Sequence, residues 1–273
     1  MGKLTGIVSS KTEIKRIPLY IEGLDDNVQG GVPEGHITLI SGSAGTMKSS
    51  ITFNILYSEA LKGKICVYCS LEQSYNSIVK QMINMNFDMS KVNLVIIKDL
   101  AELRMAISKI KSNGGGALVM VDIGCIRKEI RDVKTADNKS WLNVIKNVVK
   151  KIKEENECHL FCLDSLSALY VLSRFENPRI ELFYLFEFLR DLEITSFLIS
   201  ECQPDSGKYS EFEIEEFLCD AIVHLRLTPF RRNVVREISI VKMRATDCNN
   251  DIFSLEYKHN RFQALYGGQN PLL

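Results

Sequence analysis

The sequence predicts an α/β fold: a mostly parallel β-sheet flanked by helices, with an antiparallel β extension at its C-terminal end. Three observations carry this prediction. From His36 to Ser200, short apolar runs alternate with stretches of helical periodicity, the pattern of βαβ units and hence of a parallel sheet covered on both faces. After Asp220 the pattern changes, and Ala221 to Leu227, Val234 to Met243, Ile252 to Tyr257 and Arg261 to Leu265 follow as strand-like runs with short polar links. The 273 residues are 45% apolar and 25% charged, an ordinary globular composition that readily supplies a large core.

The elements follow in order. The first 35 residues are mixed and end in Gly30-Gly31-Val32-Pro33-Glu34-Gly35, a turn cluster that delivers the chain into its first buried strand, His36 to Ser41. Ser49 to Leu61 reads as a helix stopped by Gly63, Lys64 to Ser70 as a strand, and Ser74 to Met85 as a helix. Val92 to Ile97 is strand-like, Leu100 to Ile110 helical, and Gly114-Gly115-Gly116 punctuates the chain before Ala117 to Val121. In the clearest helix, Trp141, Val144, Ile145, Val148, Val149 and Ile152 fall on one face. Strand His159 to Leu163, helix Pro178 to Leu192 and strand Thr195 to Ser200 complete the alternation. The length is nearly twice the ~150 residues of a usual domain. With no internal repeat, low-complexity tract or Pro/Gly/Ser linker, we nevertheless expect one domain over 1–273, with 1–35 leading in and 221–273 as the C-terminal β extension.

The 34 Lys+Arg cancel the 34 Asp+Glu, which excludes a strongly basic nucleic-acid arm but leaves local charge patches open. No apolar stretch of the ~18 residues needed to span a bilayer occurs. The richest candidate, Leu182 to Leu192, contains Glu187, Arg190 and Asp191. With no long apolar leader either, the chain reads as cytoplasmic and free of membrane. The eight cysteines fit a reducing compartment, since Cys66, Cys69, Cys158 and Cys162 lie in or beside apolar runs. Cys66 and Cys69 match C-x-x-C, but on a strand residues three apart point to opposite faces, which disfavours a redox pair or zinc corner.

Directly after the first strand comes Ser41-Gly42-Ser43-Ala44-Gly45-Thr46-Met47-Lys48-Ser49-Ser50, leading into a helix. A strand, a glycine-containing loop, Lys-Ser and a helix form the arrangement of a P-loop, in which backbone N–H groups and the helix N-terminus surround phosphates. In that role Gly42, Ser43, Ala44, Gly45, Thr46, Met47, Lys48, Ser49 and Ser50 bind ATP, Lys48 reaching the β- and γ-phosphates and the Ser49 hydroxyl binding Mg²⁺. Met47 stands where the strict G-x-x-x-x-G-K-[ST] pattern has its second glycine, so it must hold a positive φ or remodel the loop. The alternative is an ordinary turn with a solvated lysine.

A metal-binding carboxylate is expected at the tip of another buried strand. Asp164, after Phe161-Cys162-Leu163, offers one, and Asp122, after Val119-Met120-Val121, is a rival of nearly equal local quality. Either could instead cap a helix. Glu72, closing the strand after the P-loop helix, is placed to orient or deprotonate an attacking water, although most strand-end glutamates are merely solvated. On a strand, Arg236, Lys242 and Arg244 share a face, because their separations are even.

Together these residues resemble the KaiC-like branch of the RecA superfamily of P-loop ATPases. The resemblance begins at Ile21-Glu22-Gly23-Leu24-Asp25-Asp26 and the Gly30 to Gly35 cluster and continues through the P-loop. It includes Leu71-Glu72-Gln73, Asp164-Ser165-Leu166-Ser167-Ala168-Leu169, Glu215 to Asp220 and Lys242-Met243-Arg244, with 86–140 fitting least well. It implies a RecA-like fold and a Mg²⁺-dependent ATPase whose slow hydrolysis serves a signalling or regulatory role through an unknown protein partner. By this resemblance Asp164 is the Walker B residue, and Glu72 alone carries over as base from a paired-glutamate motif whose second member is here Gln73. Lys242 and Arg244 would reach the γ-phosphate of the neighbouring subunit in a homo-oligomeric ring, a homohexamer, while Ser200 and Glu201 occupy a sensor-like place. Glu216-Phe217 stands where the kinase-competent KaiC domain carries its Ser-Thr phosphosites, and neither side chain has a hydroxyl.

Two other readings stay open. A recombinase-like DNA-repair ATPase on single-stranded DNA needs phosphate-neutralising surfaces, which the balanced charge does not favour. A non-hydrolysing scaffold would use ATP only to assemble a ring. The charge balance is itself a cancellation: 201–220 holds seven acids against Lys208, and 231–244 five bases against Glu237. Opposite patches suit head-to-tail packing of subunits.

Overall fold

The computed structural model describes residues 13–132, 141–173, 175–203 and 207–266. Three two-residue strands, β1 (Arg16–Ile17), β2 (Ile21–Glu22) and β3 (Val32–Pro33), precede the first long strand, β4 (Ile37–Gly42). The alternation then runs α1 (Lys48–Leu61), β5 (Ile65–Ser70), α2 (Tyr75–Asn84), β6 (Leu94–Ile97), α3 (Leu103–Asn113) and β7 (Ala117–Asp122). It continues through α4 (Ile123–Asp132), α5 (Trp141–Asn156), β8 (Leu160–Asp164), α6 (Leu166–Ser173), α7 (Pro178–Asp191) and β9 (Thr195–Glu201). The short α8 (Glu215–Leu218) leads into β10 (Ala221–Phe230), β11 (Asn233–Met243), β12 (Ile252–Lys258) and β13 (Arg261–Tyr266).

Strands β1 and β3 pair with each other, and the other eleven form one sheet in the order β2-β13-β12-β11-β10-β4-β9-β8-β5-β7-β6. From β10 to β6 every pairing is parallel, and β10 to β13 are antiparallel, as the sequence predicts. Two apolar cores cover the faces. One gathers Ile51, Phe53, Leu56, Ile78 and Met82 from α1 and α2 with the lead-in residues Leu19 and Leu24. The other gathers α3, α5, α6 and α7 through residues such as Ile107, Ile145, Leu169 and Phe186. The expected stripe on α5 faces this second core, with Trp141 at its margin. Cys66 lies in the first core and Cys69 in the second, so the C-x-x-C pair is split by the sheet.

The structure adds what the sequence reading missed. Helix α6 is almost wholly apolar and only eight residues long, so it carries no legible period. Helix α4 follows β7 without a linking residue. Strand β10 runs past its expected end, through Pro229, because beyond Leu225 it no longer pairs with β4 and one of its edges makes no ladder. A register irregularity opposite Ile222 and Val223, which pair with Lys242 and Ile240, leaves Val241 as an extra residue. The alternation therefore flips within β11: Ile238, Ile240 and Met243 all enter the first core. Arg236 and Lys242 thus lie on opposite faces, contrary to their even spacing.

Candidate functional site

The site forms where β4, β5, β8 and β9 end together. Strand β4 enters its loop through Gly42, where an added Cβ would sit 2.3 Å from the Leu225 carbonyl oxygen, so no side chain fits. The loop is closed internally by Thr46 Oγ1, which donates to the Ser43 carbonyl at 2.8 Å. Met47 takes φ 75° and ψ 22°, the left-handed conformation, at the N-cap of α1. It thus adopts the backbone shape a glycine gives at this place, and its side chain packs against the first core.

Lys48 is only 7% exposed. Its Nζ donates to the carbonyls of Gly42 (2.8 Å) and Ser43 (2.9 Å) and lies 3.9 Å from Glu201 Oε1. Burial pulls its pKa below the ordinary lysine value, while Glu201, Asp164 and Glu72 act in the opposite direction. Ser49 hydrogen-bonds Asp164. The Ser50 hydroxyl accepts from Gln81 Nε2 at 3.2 Å, which commits that side chain to α2.

Asp164 ends β8 and is also 7% exposed. Burial raises its pKa, and hydrogen bonds from the Tyr68 hydroxyl and Ser49 oppose that rise by favouring the carboxylate. Its rival Asp122 is spent on backbone amides, accepting from Tyr75 N–H (3.0 Å) and Cys125 N–H (2.9 Å) at the starts of α2 and α4. Of the two strand-end aspartates, Asp164 alone has this bond to the P-loop serine. Glu72 lies in the exposed loop beyond β5, which ends at Ser70, rather than closing the strand itself. Its Oε1 accepts from the Ser165 hydroxyl, and the Leu71 N–H bonds the Asp164 carbonyl at 2.8 Å, tying this loop to the tip of β8.

The fold therefore brings Lys48, Ser49, Asp164, Glu72 and Glu201 into one cluster. Tyr68 and Ser165 belong to it and were not singled out as site residues from the sequence. Tyr68 had a signal, a fully buried tyrosine hydroxyl within an aliphatic strand, which needs a partner.

Lys242 and Arg244 lie elsewhere. Lys242 Nζ donates to the carbonyls of Glu216 and Cys219 (2.9 Å), capping the end of α8, and Arg244 Nη1 bonds Asp220 Oδ1 at 2.9 Å. Asp220 also accepts the Ile37 N–H at 3.0 Å. Arg236, which the bulge separates from them, reaches the P-loop of its own chain, its Nε donating to the Gly45 carbonyl at 3.2 Å. A cavity of about 980 Å³ adjoins the loop at Ser43 and Ala44, walled by Tyr209, His224, Arg226 and Ser239. It lies beside the Lys48–Asp164 pair rather than at it.

The donor set suits a magnesium ion. Ser49 and Asp164 offer two hard oxygens in mutual contact, and Mg²⁺ typically takes one or two protein oxygens with phosphates and waters filling its octahedron. No cluster of three or more His, Cys, Asp or Glu that could hold a metal by itself occurs among the described residues. Nor is any described helix long and apolar enough to cross a membrane.

Comparison with known proteins bears on this geometry. A family profile described as KaiC ATPase matches residues 17–262. The circadian clock oscillator protein KaiC of Thermostichus vulcanus is 25% identical over 239 residues, which is 87% of this chain but 42% of that protein. The chain thus spans well under half the length of the clock proteins it matches. A UPF0273 protein of Saccharolobus solfataricus is 29% identical, covering 85% of this chain and 76% of its own length. Among solved structures, the KaiC-like protein of Pyrococcus horikoshii superposes with a TM-score of 0.69 at 23% identity, over 92% of this chain and 99% of the other, a likeness of fold.

Proposed function

The chain belongs to the KaiC family of ATPases, and from that premise we propose that it is a cytoplasmic Mg²⁺-dependent ATP phosphohydrolase of slow turnover, working at subunit interfaces of a homohexameric ring with a regulatory output. The observation that carries this reading is the convergence of a buried P-loop lysine, a Ser49–Asp164 pair and a carboxylate, Glu72, at one sheet edge.

In this reading the amides of Gly42 to Ser49 and the Lys48 ammonium hold the β- and γ-phosphates, Lys48 exchanging its two loop carbonyls for phosphate oxygens. Ser49 and Asp164 would hold Mg²⁺, which when bound would supply positive charge to the phosphates. Burial of Asp164 makes an adjacent cation favourable, because the cation offsets the cost of a carboxylate held out of water. Glu72 accepts the proton of the water whose oxygen attacks the γ-phosphorus, as the bond to the bridging oxygen breaks and ADP leaves. Ser165, donating to Glu72 Oε1, fixes the carboxylate for that task.

Lys242 and Arg244 serve the neighbour's γ-phosphate. Within the protomer both are tied to the α8–Asp220 turn, so this role requires them to trade those contacts at the interface.

The test is Glu72→Gln. Loss of a general base costs about 10²–10⁴ in rate, so turnover should fall at least a hundredfold while ATP binding stays intact. An unchanged rate removes Glu72 from the mechanism. Nucleotide binding without turnover in the native protein, with a mass increase on adding Mg-ATP, would instead give the scaffold reading.

A further inference from the structure

Strands β10 and β11 do more than extend the sheet. β10 pairs with β4 only over Ala221 to Leu225, and β11 pairs with β12 only over Glu237 to Ser239. From Arg226 to Arg236 the two strands therefore pair with each other alone, as a two-stranded ribbon beyond the sheet edge at which the P-loop lies. Residues 226–236 carry four arginines and no acid. The composition of the whole chain, with its zero net charge, conceals this.

The arginines divide by position. At the root, Arg226 pairs with Glu237 and Arg236 binds the Gly45 carbonyl. At the turn stand Arg231 and Arg232, both exposed, beside Phe230 at 51% and Val234 at 62% exposure. The Arg231 guanidinium lies over the Phe230 ring, 5.5 Å from its centroid. A half-exposed aromatic ring with a guanidinium over it and a second exposed arginine next in the chain, on a projecting ribbon, is the chemistry that stacks an unpaired base and binds its phosphates.

We propose that the tip of the β10–β11 arm, Phe230 with Arg231 and Arg232, is a binding site for single-stranded nucleic acid. Two other polyanionic partners fit less well. A membrane anchor needs more apolar area than one ring and one valine. The chain's own acidic segment in a second copy is largely engaged at home: Glu213 pairs with Lys208, Glu215 with Tyr170, Glu216 with the Tyr209 N–H, and Asp220 with Ile37 and Arg244. The site does not depend on ATP hydrolysis, so its failure and that of the ATPase reading are separable.

The experiment titrates the full chain into a fluorescently labelled oligodeoxythymidine of about 20 nucleotides, long enough to exceed a single-domain site. Anisotropy is read between about 50 and 200 mM salt. Wild-type protein should bind at low salt and lose affinity as salt rises. Phe230→Ala should weaken binding roughly 5- to 150-fold, the range of one lost base stack, while Phe230→Trp should retain it. Replacing Arg231 and Arg232 by Ala should flatten the log–log salt slope by about 1.4 for each arm engaged. Unchanged unfolding midpoints and ATP affinity would show that these surface variants remain folded. No binding at low salt, or binding indifferent to all three variants, overturns the proposal. So does arm-dependent binding to phosphatidylserine vesicles with none to the oligonucleotide, or an effect of the variants on oligomeric mass alone.

Discussion

Replacing Met47 by glycine tests whether the P-loop is remodelled by its unusual residue. At φ 75° and ψ 22° the methionine already occupies the left-handed region, at a cost of roughly 1–2 kcal/mol for an L-residue. Glycine removes that cost but adds about 0.4–1 kcal/mol of freedom to the unfolded chain. It also deletes a partly buried side chain packed on the first core, worth on the order of 1 kcal/mol at half burial. These terms nearly cancel, so Met47→Gly should shift stability by no more than about 1 kcal/mol in urea unfolding. Because the backbone already has the glycine shape, the loop amides should not move, and affinity for a fluorescent ATP analogue should stay within about threefold. Met47→Val is the contrast: a β-branched residue at this φ is a genuine outlier, and it should cost at least about tenfold in affinity as the loop shifts. Tightening of tenfold or more in the glycine variant would refute the argument, since it would mean that methionine holds the loop away from its phosphate-binding shape.

Two further predictions concern carboxylates that accept backbone N–H groups. Asp25 in the lead-in segment has its pKa raised from 3.8 to about 6, chiefly by burial, against a lowering by backbone N–H groups that includes the 2.6 Å bond from Leu19. The fold thus prefers its protonated form: the contribution is fully present below the unfolded value and is lost as pH rises through about 6. Asp25→Asn should accordingly gain on wild type across that window, by up to about 3 kcal/mol in urea unfolding, and a pH-independent difference would contradict it. Asp220→Ala should destabilise by about 2–4 kcal/mol, because it orphans the Ile37 N–H and removes the partner of Arg244. Asp220→Asn keeps an acceptor for the amide and should cost less than half as much; equal losses would discard the amide as the main term.

Much of the sheet was legible because its strands are buried on both faces and read as short apolar runs between glycine breaks, as in Ile37–Gly42 and Ala117–Asp122. The P-loop was legible for a related reason, since Gly42, Gly45 and Lys48 meet backbone demands fixed within a few residues. What stayed hidden depended on distant partners. The choice between Asp164 and Asp122 turns on which strand end faces Ser49, and no local pattern encodes that. The place of Glu72 beyond its strand depends on the Leu71 bond to Asp164 and on the Ser165 hydroxyl that holds its carboxylate, both partners lying 93 residues further along the sequence. The face of Lys242 was misread because one extra residue, Val241, inverts a two-residue period, and a bulge leaves no reliable mark on sequence.

The charge pattern shows the same limit more sharply. From sequence, the acidic stretch 201–220 and the basic stretch 231–244 look like complementary halves of a head-to-tail contact. In the fold the two stretches meet within one chain, where Lys242 and Arg244 close on the α8–Asp220 turn. Lys242 and Arg244 are therefore already engaged inside the protomer, the one on backbone carbonyls and the other on Asp220. An interface that engages these same residues gains only the difference between new and broken contacts, which for partly exposed ions is small and screened by salt. Arg231 and Arg232 stand exposed at the arm tip, where the backbone carries them away from the acidic turn. Salt sensitivity of the protein, if governed by charge on its surface, should follow the arm and not the Lys-Met-Arg block.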